Sequence, residues 1–367
     1  MGTPLTALAG LWLLISPTLA DTLSTASTTR HTAISSPDSA TVDPAALLEL
    51  ADADLLERIK TDPSVLGPLS IGDPASGRLF NPVAMPADPR CDIAENAQTW
   101  ATAESIAAIQ AGLDTVHELY PDTHPIRIGD FSGADGGRLK RHLSHQSGRD
   151  VDVGFYFKGG PPGGMVNGTA ANLDLPRNWA LLRAWLVRTD VDVVLLDTRI
   201  QRLLYTHALS IGEDKDWLDR VFQFSRGYRD ALVQHVKNHR NHYHVRFYNP
   251  VAQELGRRAY PLLVEAEIVP KPVYSVRHVV RSGQTMGQIA ARYGTTTRAI
   301  MQANGLRSTV WRAGRAYRIP VKAARVATTE AVVIPPRLLP PFTPPALDAV
   351  VWPTAPAPPG SSSGGER

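Results

Sequence analysis

Apolar residues recur at helical spacing along much of the chain. The clearest stretch is 102–119, where they follow one another three or four positions apart from Ile106 to Leu119, which is the period of a buried helix face. A short helix is predicted after Asp43-Pro44, since Asp favours the N-cap and Pro the first helical position. Further helices are predicted over 178–187, over 198–207 and within 217–237.

Short runs with β-branched or alternating apolar residues predict the strands. The continuous apolar run Val191–Leu196 is typical of a strand that is buried on both faces. Other strands are predicted over 126–131, 152–157 and 242–248. Helices and strands are mixed without a regular alternation, so the pattern favours the α+β fold class.

The N-terminal residues 1–20 have the pattern of a signal peptide. An apolar run from Leu5 to Ile15 is followed by Thr18-Leu19-Ala20, which offers small residues where signal peptidase requires them. No Lys or Arg precedes Arg30, so the usual positive segment is missing. The apolar run is too short to predict a membrane span. We therefore expect export, with no stable membrane span after cleavage.

Composition divides the remainder of the chain. The sequence Val269–Val273 is rich in Pro and marks an interdomain linker, whereas the C-terminal tail is too poor in large apolar residues to fold alone. We predict a linker or pro-segment with a short helix over 21–75, a main domain over 76–255, a linker over 256–275, a small module over 276–321 and a Pro-rich disordered tail over 322–367.

Charge and cysteine content exclude several classes of protein. The chain has 38 basic and 35 acidic residues, a net charge of +3. Nucleic-acid-binding proteins concentrate basic charge on one face, so no nucleic-acid partner is expected. Cys91 is the single cysteine, which excludes an intrachain disulfide and a cysteine-rich zinc module. A metal site would have to use His, Asp and Glu.

Six of the eleven histidines lie in two short windows. The first window, residues 141–152, reads RHLSHQSGRDVD, and the second, residues 235–246, reads HVKNHRNHYHVR. If the second window ends in a strand, His242 and His244 lie on one face of it because alternate residues share a face. Val245 and Phe247 would then face the core on the other side.

Together the two windows contain the ligands that a catalytic zinc ion requires. Such a site usually has three protein ligands and one open position. His145, Asp152 and His244 suggest themselves as the ligands of Zn²⁺, with His242 beside the open position. A lone His-x-His pair is more often a packed or surface pair, and the two windows in this order make that interpretation less favoured. Asp150 either fixes the tautomer of a ligating imidazole or is a solvated charge.

These windows resemble those of the lysostaphin, D-Ala-D-Ala peptidase and hedgehog-type metallopeptidase group. The first window is similar to that of the penicillin-insensitive murein endopeptidases, and the resemblance covers residues 76–255, roughly half of the chain. It implies a zinc metallopeptidase domain with an antiparallel sheet, in which His145, Asp152 and His244 bind zinc. His242 and His239 would line the site, and His142 would support it without binding the metal.

The resemblance also implies an activity, which is hydrolysis of the D-alanyl–diaminopimelyl crosslink of peptidoglycan. A neighbouring imidazole would take the proton of the attacking water, and the sequence leaves open whether this is His242 or His239. No His-Glu-x-x-His helix motif occurs, so a glutamate base of that type is absent. Near these windows, Gly159–Gly164 is predicted to be a mobile loop at the rim, and Asp130 either lines the cleft or begins a turn.

The small module has its own pattern of caps. A strand from His278 is followed by a turn at Ser282-Gly283, and Thr285 and Thr297 are predicted to cap two helices. Gly294 and Gly305 suit the left-handed position after each helix. A final strand completes a βααβ unit that looks like a LysM domain. The resemblance implies binding to glycans that contain N-acetylglucosamine, through candidates that the turns alone would also explain: Gly283, Gln284, Thr285, Met286, Asn304 and Gly305.

The two resemblances imply one substrate. The leading hypothesis is an exported zinc endopeptidase that cuts peptidoglycan crosslinks and is held on the glycan by its LysM module. We expect a periplasmic location, with secretion as the alternative. Two other functions stay open: a D,D-carboxypeptidase or dipeptidase that acts on stem peptides, and a non-catalytic peptidoglycan-binding protein with a vestigial zinc site.

Overall fold

A computed structural model describes residues 44–140, 142–270, 274–321 and 331–341 of the chain. The predicted signal peptide, the first part of the predicted linker and residues 342–367 of the predicted tail lie outside these described residues. Within the part that is described, no helix is both long and apolar enough to cross a membrane.

Helices and strands alternate irregularly along the chain. The helices are α1 (Asp52–Thr61), α2 (Ala103–Leu119), α3 (Leu175–Arg188), α4 (Thr198–Ser210), α5 (Lys215–Val221), α6 (Gln223–Arg226), α7 (Pro250–Glu265), α8 (Met286–Tyr293) and α9 (Thr297–Asn304), with 3-10 helices at Pro44–Glu49 and Pro63–Leu66. The strands are β1 (Leu69–Ile71), β2 (Arg78–Phe80), β3 (Val83–Ala84), β4 (Cys91–Ile93), β5 (Trp100–Ala101), β6 (Ile126–Ile128), β7 (Asp150–Val153), β8 (Val191–Leu196), β9 (Val233–His235), β10 (Tyr243–Phe247), β11 (Tyr274–Val279) and β12 (Ala316–Val321).

The main domain is built on a six-stranded sheet with the order β4-β6-β7-β10-β8-β9. The inner pairs are antiparallel, but β4 pairs with β6 and β8 pairs with β9 in parallel. The prediction of an antiparallel sheet is therefore correct for the centre and wrong for both edges. Parallel neighbours require a crossover connection, which α2 provides at one edge and α4 to α6 provide at the other.

The core of this domain lies between the sheet and its helices. Val245 and Phe247 of β10 are 0% and 1% exposed, as their predicted position on the core face requires. Trp185 of α3 packs edge-on against the rings of Tyr243 and Phe247. The strand predicted at 152–157 is observed as 150–153, and the helix predicted within 217–237 is divided into α5 and α6, with β9 following.

A second apolar core joins the beginning of the described chain to α7. Leu55 and Ile59 of α1 are fully buried with Leu255 and Leu263 of α7. The backbone of Ser70 lies so close to Gly256 that a Cβ atom there would be 2.2 Å from the Ser70 oxygen. Residues 256–265 belong to α7, so the predicted linker begins too early. Because residues 44–71 pack against this helix, they are an integral part of the fold. The apolar face of α7 packs against this segment, which is more than 200 residues away in sequence, as the pair of Arg258 and Asp52 shows (|i−j| = 206).

Residues 331–341 run along the surface of the main domain. The Trp217 indole donates to the backbone oxygen of Leu338 at 2.8 Å, and Arg337 Nε donates to Asp190 at 2.6 Å. The side chain of Leu338 packs against the main core. This part of the predicted disordered tail is thus held in place by specific contacts.

The C-terminal module is a βααβ unit, as predicted. Strands β11 and β12 form an antiparallel pair, and Thr285 begins α8 with a capping box to Gln288. Gly294 and Gly305 have the expected left-handed backbone, with φ of 65° and 61°. The second helix is capped by Thr296 instead of Thr297, because the hydroxyl of Thr296 reaches the third amide of the helix.

Candidate metal centre

Two adjacent strands bring the predicted ligands together. In the antiparallel pair of β7 and β10, Asp152 lies directly opposite His244, and directly opposed side chains share a face of the sheet. His145 comes from the loop before β7 and has a left-handed backbone with φ of 64°. That conformation is costly for a residue with a side chain. It persists here because His145 N donates to Asp150 Oδ2 at 2.7 Å.

Three ligand atoms converge at nearly equal separations. His145 Nε2 is 3.2 Å from His244 Nδ1 and 3.3 Å from Asp152 Oδ1, and His244 Nδ1 is 3.2 Å from the same oxygen. A tetrahedral zinc ion with bonds of about 2.0 Å separates its ligand atoms by roughly 3.3 Å. The geometry of the three side chains therefore fits a zinc ion.

Each ligating imidazole has a polar partner behind it, which leaves its other nitrogen facing the point of convergence. His145 Nδ1 donates to the Phe131 carbonyl at 2.6 Å, so Nε2 retains its lone pair. His244 Nε2 faces Asp150 Oδ1 at 3.4 Å. Burial lowers the pKa of His244, but the Asp150 and Asp152 carboxylates raise it to about 9, so a metal would displace a proton from Nδ1. Asp152 Oδ1 is buried and, among the described residues, accepts no hydrogen bond of normal geometry. Such outer partners typically orient metal-binding histidines.

Asp150 is a buried charge and not a solvated one. Its side chain is 1% exposed, and its Oδ1 accepts a hydrogen bond from Arg246 Nε at 2.6 Å. Burial opposes ionisation of this carboxyl, but the neighbouring His244 and Arg246 hold its pKa well below the usual range. The first of the two sequence interpretations of Asp150 is the one that its contacts support.

His142 offers an alternative third ligand. Its ring, His145 and Asp152 can place one ligand atom each within 4.8 Å of one another. However, His142 Nε2 donates to Asp130 Oδ2 at 2.9 Å, and its Nδ1 is 3.8 Å from Asp152 Oδ2. The hydrogen bond to Asp130 raises the pKa of His142. His142 therefore lies beside the cluster in a supporting position, and Asp130 is a cleft residue, one of the two possibilities that the sequence left open.

The two candidate bases lie beside the cluster. His242 Nε2 is 3.5 Å from Asp152 Oδ1, and the His239 ring centroid is 5.0 Å from that of His242 and 5.9 Å from that of His244. Burial lowers the pKa of His242 to about 4 and also lowers the pKa of His239. Both imidazoles are neutral at neutral pH, as a general base must be.

Sequence reasoning missed two residues at this centre. Asn241 accepts a hydrogen bond from His242 Nδ1 at 2.8 Å and donates to the backbone oxygen of Met165 at 3.4 Å. Met165 belongs to the glycine-rich loop, residues 159–168, whose Gly168 N donates to the Arg240 oxygen at 2.7 Å. Met165 and Gly168 thus lie beside Asn241 and Arg240, directly after the segment Gly159–Gly164 that the sequence predicts to be a rim loop. The sequence feature that could have indicated a role for Asn241 is its position directly before His242.

Some of the predicted glycan-binding residues are exposed, whereas the side chains of others are buried or hydrogen-bonded within the module. Gly283, Thr285 and Gly305 are exposed on the module. Met286 is 2% exposed, so its side chain belongs to the core, and its assignment to glycan binding is wrong. Asn304 makes hydrogen bonds to the backbones of Ile300 and Arg318. Gln284 is partly exposed, and its side chain accepts from the backbone of Arg281.

Comparison with known proteins identifies the small module. Residues 278–316 match the family described as LysM domain. The match supports a peptidoglycan-binding module in this part of the chain, and with it an association with the cell wall. This match covers most of the βααβ unit between β11 and β12. No curated protein matches the chain.

Proposed function

We propose that the chain is an exported zinc-dependent endopeptidase that hydrolyses peptide crosslinks of the D-Ala–diaminopimelate type in peptidoglycan. One observation carries the proposal: three ligand atoms from His145, Asp152 and His244 converge at 3.2–3.3 Å. The converging atoms lie in the same chain as a LysM module. Export to the periplasm, or secretion beyond it, belongs to the same proposal because peptidoglycan lies outside the cytoplasm.

The residues of the chain divide the work between binding and proton transfer. His145, Asp152 and His244 would hold zinc, which when bound supplies polarisation of the scissile carbonyl and ionisation of water. His242 Nε2 has a free lone pair, because Nδ1 donates to Asn241. In this proposal His242 would take the proton of the attacking water and return it to the leaving amine. Of the two candidates, His242 is the one whose Nε2 lies 3.5 Å from Asp152 Oδ1, which favours His242 as the base.

The LysM module would increase activity on the insoluble polymer. Binding of one module to the glycan converts the encounter of the main domain with a crosslink into an intramolecular event. Isolated muropeptides have little glycan to bind, so the benefit should be confined to intact sacculi.

The test is to incubate the purified full chain with crosslinked muropeptide dimers, with and without a zinc chelator, and to identify products by mass spectrometry. Chelator-sensitive conversion of dimers to intact monomers is the expected result. Loss of a terminal alanine alone would instead indicate a D,D-carboxypeptidase. Zinc-loaded protein that binds sacculi and leaves dimers and stem peptides unchanged would overturn the enzymatic proposal in favour of a binding role.

A further inference from the structure

The side chain of Asn241 joins two parts of the centre that are far apart in sequence. Its Oδ1 lies 2.8 Å from His242 Nδ1, and its Nδ2 donates to the Met165 carbonyl oxygen at 3.4 Å. A carbonyl only accepts hydrogen bonds, so the amide nitrogen must face Met165 and the amide oxygen must face His242. Because the amide oxygen also only accepts, His242 Nδ1 must carry the proton. The carbonyl of Met165 thereby determines which nitrogen of His242 is free.

Met165 lies on a floor made of two glycines beside the candidate ligands. Its Cε is 3.0 Å from the position that a Cβ on Gly129 would occupy, and its Sδ is 3.4 Å from the corresponding position on Gly154. The Cβ of Asp152 is 3.2 Å from the same point on Gly129. The thioether therefore packs in the space that the missing side chains leave, next to the Cβ atom of Asp152.

The rest of the glycine-rich loop has little to hold it. Gly159, Gly160 and Gly163 have φ between 71° and 106°, and no atom lies within 4 Å of where their Cβ atoms would be. Segments with few buried contacts open locally at low free-energy cost. The end of the loop that faces His242 is attached by the Asn241 side chain, by the backbone bond from Gly168 to Arg240, by the packing of the Met165 thioether and by the hydrogen bond from Asn172 Nδ2 to the Asn167 oxygen at 3.1 Å.

We propose that Asn241 is a positioning residue that couples the glycine-rich loop to the tautomer of His242. While the loop is attached, Nδ1 is protonated and Nε2, which lies 3.5 Å from Asp152 Oδ1, carries the lone pair. When the loop moves away, the amide of Asn241 is free to rotate and the imidazole loses its fixed tautomer. A substrate that contacts Met165 would therefore act on the base through the loop. The catalytic consequence rests on the proposed function, but the coupling itself does not.

Two substitutions separate the two arms of the contact. Asn241→Ala removes both hydrogen bonds, whereas Asn241→Asp retains the acceptor for His242 and loses the donor to Met165. Lys237→Ala is the control, because Lys237 is an exposed residue of the same connection. Tautomers are measured by proton–nitrogen NMR on full-length protein with labelled histidine, with the His242 signals assigned from a His242→Gln variant. Loop mobility is measured by amide hydrogen exchange over residues 159–168.

The expected pattern differs between the variants, with and without zinc. Asn241→Ala should give mixed His242 tautomers and amide exchange in the loop at least about threefold faster. Asn241→Asp should speed exchange to a similar degree and retain the Nδ1-protonated tautomer. Wild-type tautomer and exchange in Asn241→Ala would overturn the inference. Since neither readout needs turnover, a wild-type chain that cleaves no muropeptide would refute the proposed function and leave this inference decided by its own data.

If the chain is active, kinetics provide a third readout. Loss of the fixed tautomer in Asn241→Ala should lower kcat about tenfold, a part of the roughly 100-fold to 10,000-fold that a positioned acid or base contributes. Asn241→Asp should retain more of kcat than Asn241→Ala. Equal kcat values for wild type and Asn241→Ala would contradict the catalytic consequence.

Discussion

Replacing Asp150 with asparagine removes a buried charge on which several neighbouring groups depend. The carboxylate accepts from His145 N at 2.7 Å and from Arg246 Nε at 2.6 Å, and it lies 3.4 Å from His244 Nε2. Asparagine has nearly the same shape and leaves one acceptor oxygen. The change therefore removes the charge and creates no cavity.

Two effects of different magnitude follow. Breaking a buried ion pair by removing one partner costs about 3–5 kcal/mol. The Arg246 side chain is 20% exposed, so water compensates part of this loss, and we expect the free energy of unfolding of the zinc-free protein to fall by about 2–4 kcal/mol. Loss of the carboxylate behind His244 should also weaken zinc binding by about 10-fold to 100-fold.

The two effects are measured separately and against a matched control. Urea unfolding of the chelator-treated protein gives the stability, and competition with a chelating dye gives the zinc affinity. Asp92→Asn is the control, because Asp92 lies on a strand of the same sheet with a side chain that is 41% exposed and pairs with Arg127. An exposed ion pair contributes less than about 1 kcal/mol, and its loss should leave zinc affinity unchanged.

The account of Asp150 would be refuted by a simple outcome. The refuting outcome has two parts: the free energy of unfolding of Asp150→Asn lies within about 0.5 kcal/mol of that of Asp92→Asn, and Asp150→Asn binds zinc as tightly as the wild type. The buried carboxylate would then neither balance the charge of Arg246 nor orient His244.

Three further predictions concern the rest of the fold. Leu55 is fully buried, so Leu55→Ala should lower the free energy of unfolding, measured with urea, by about 2–5 kcal/mol. The control Glu57→Ala on the same helix should change it by less than about 0.5 kcal/mol. Equal effects of the two substitutions would mean that α1 is a dispensable pro-segment. Deletion of residues 331–367 should cost about 1–2 kcal/mol through the loss of the hydrogen bond from Trp217, and unchanged thermal unfolding would contradict this. Burial alone would raise the pKa of Asp219, but hydrogen bonds lower it; they come from Lys215, Ser225, Tyr205 and Arg226. Because the pKa of Asp219 is lower in the folded than in the unfolded state, Asp219 stabilises the protein above about pH 4 and loses that effect as the pH falls. Asp219→Asn should therefore lose less stability than the wild type between neutral and acidic pH. Parallel profiles of stability against pH for the two proteins would refute this.

The sequence predicted local structure better than the contacts between distant segments. The apolar run Val191–Leu196 is a strand with the predicted bounds, since its β-branched residues suit only that environment. The histidine windows were recognisable because alternation along β10 places His244 on the face opposite Val245. These features depend on a few consecutive residues.

Other features depend on segments that the sequence does not connect. The second part of α7, residues 256–265, falls in the predicted linker, because the segment that covers the apolar face of this helix lies before β1 in the chain. The hydrogen bond between Asn241 and Met165 joins residues that are 76 positions apart. Met286 is buried because it packs inside the LysM module. In the sequence, its apolar character fits a position in a glycan-binding loop equally well.

The most direct test of the account measures bound zinc and dimer cleavage on the same samples. Wild type and Asp92→Asn should each contain about one zinc ion per chain and convert muropeptide dimers to monomers. Exhaustive chelation should abolish both, and added zinc should restore both, whereas Asp152→Asn should contain little zinc and cleave no dimers. Conversion of dimers by zinc-free wild-type protein, or by Asp152→Asn at the wild-type rate, would contradict the account.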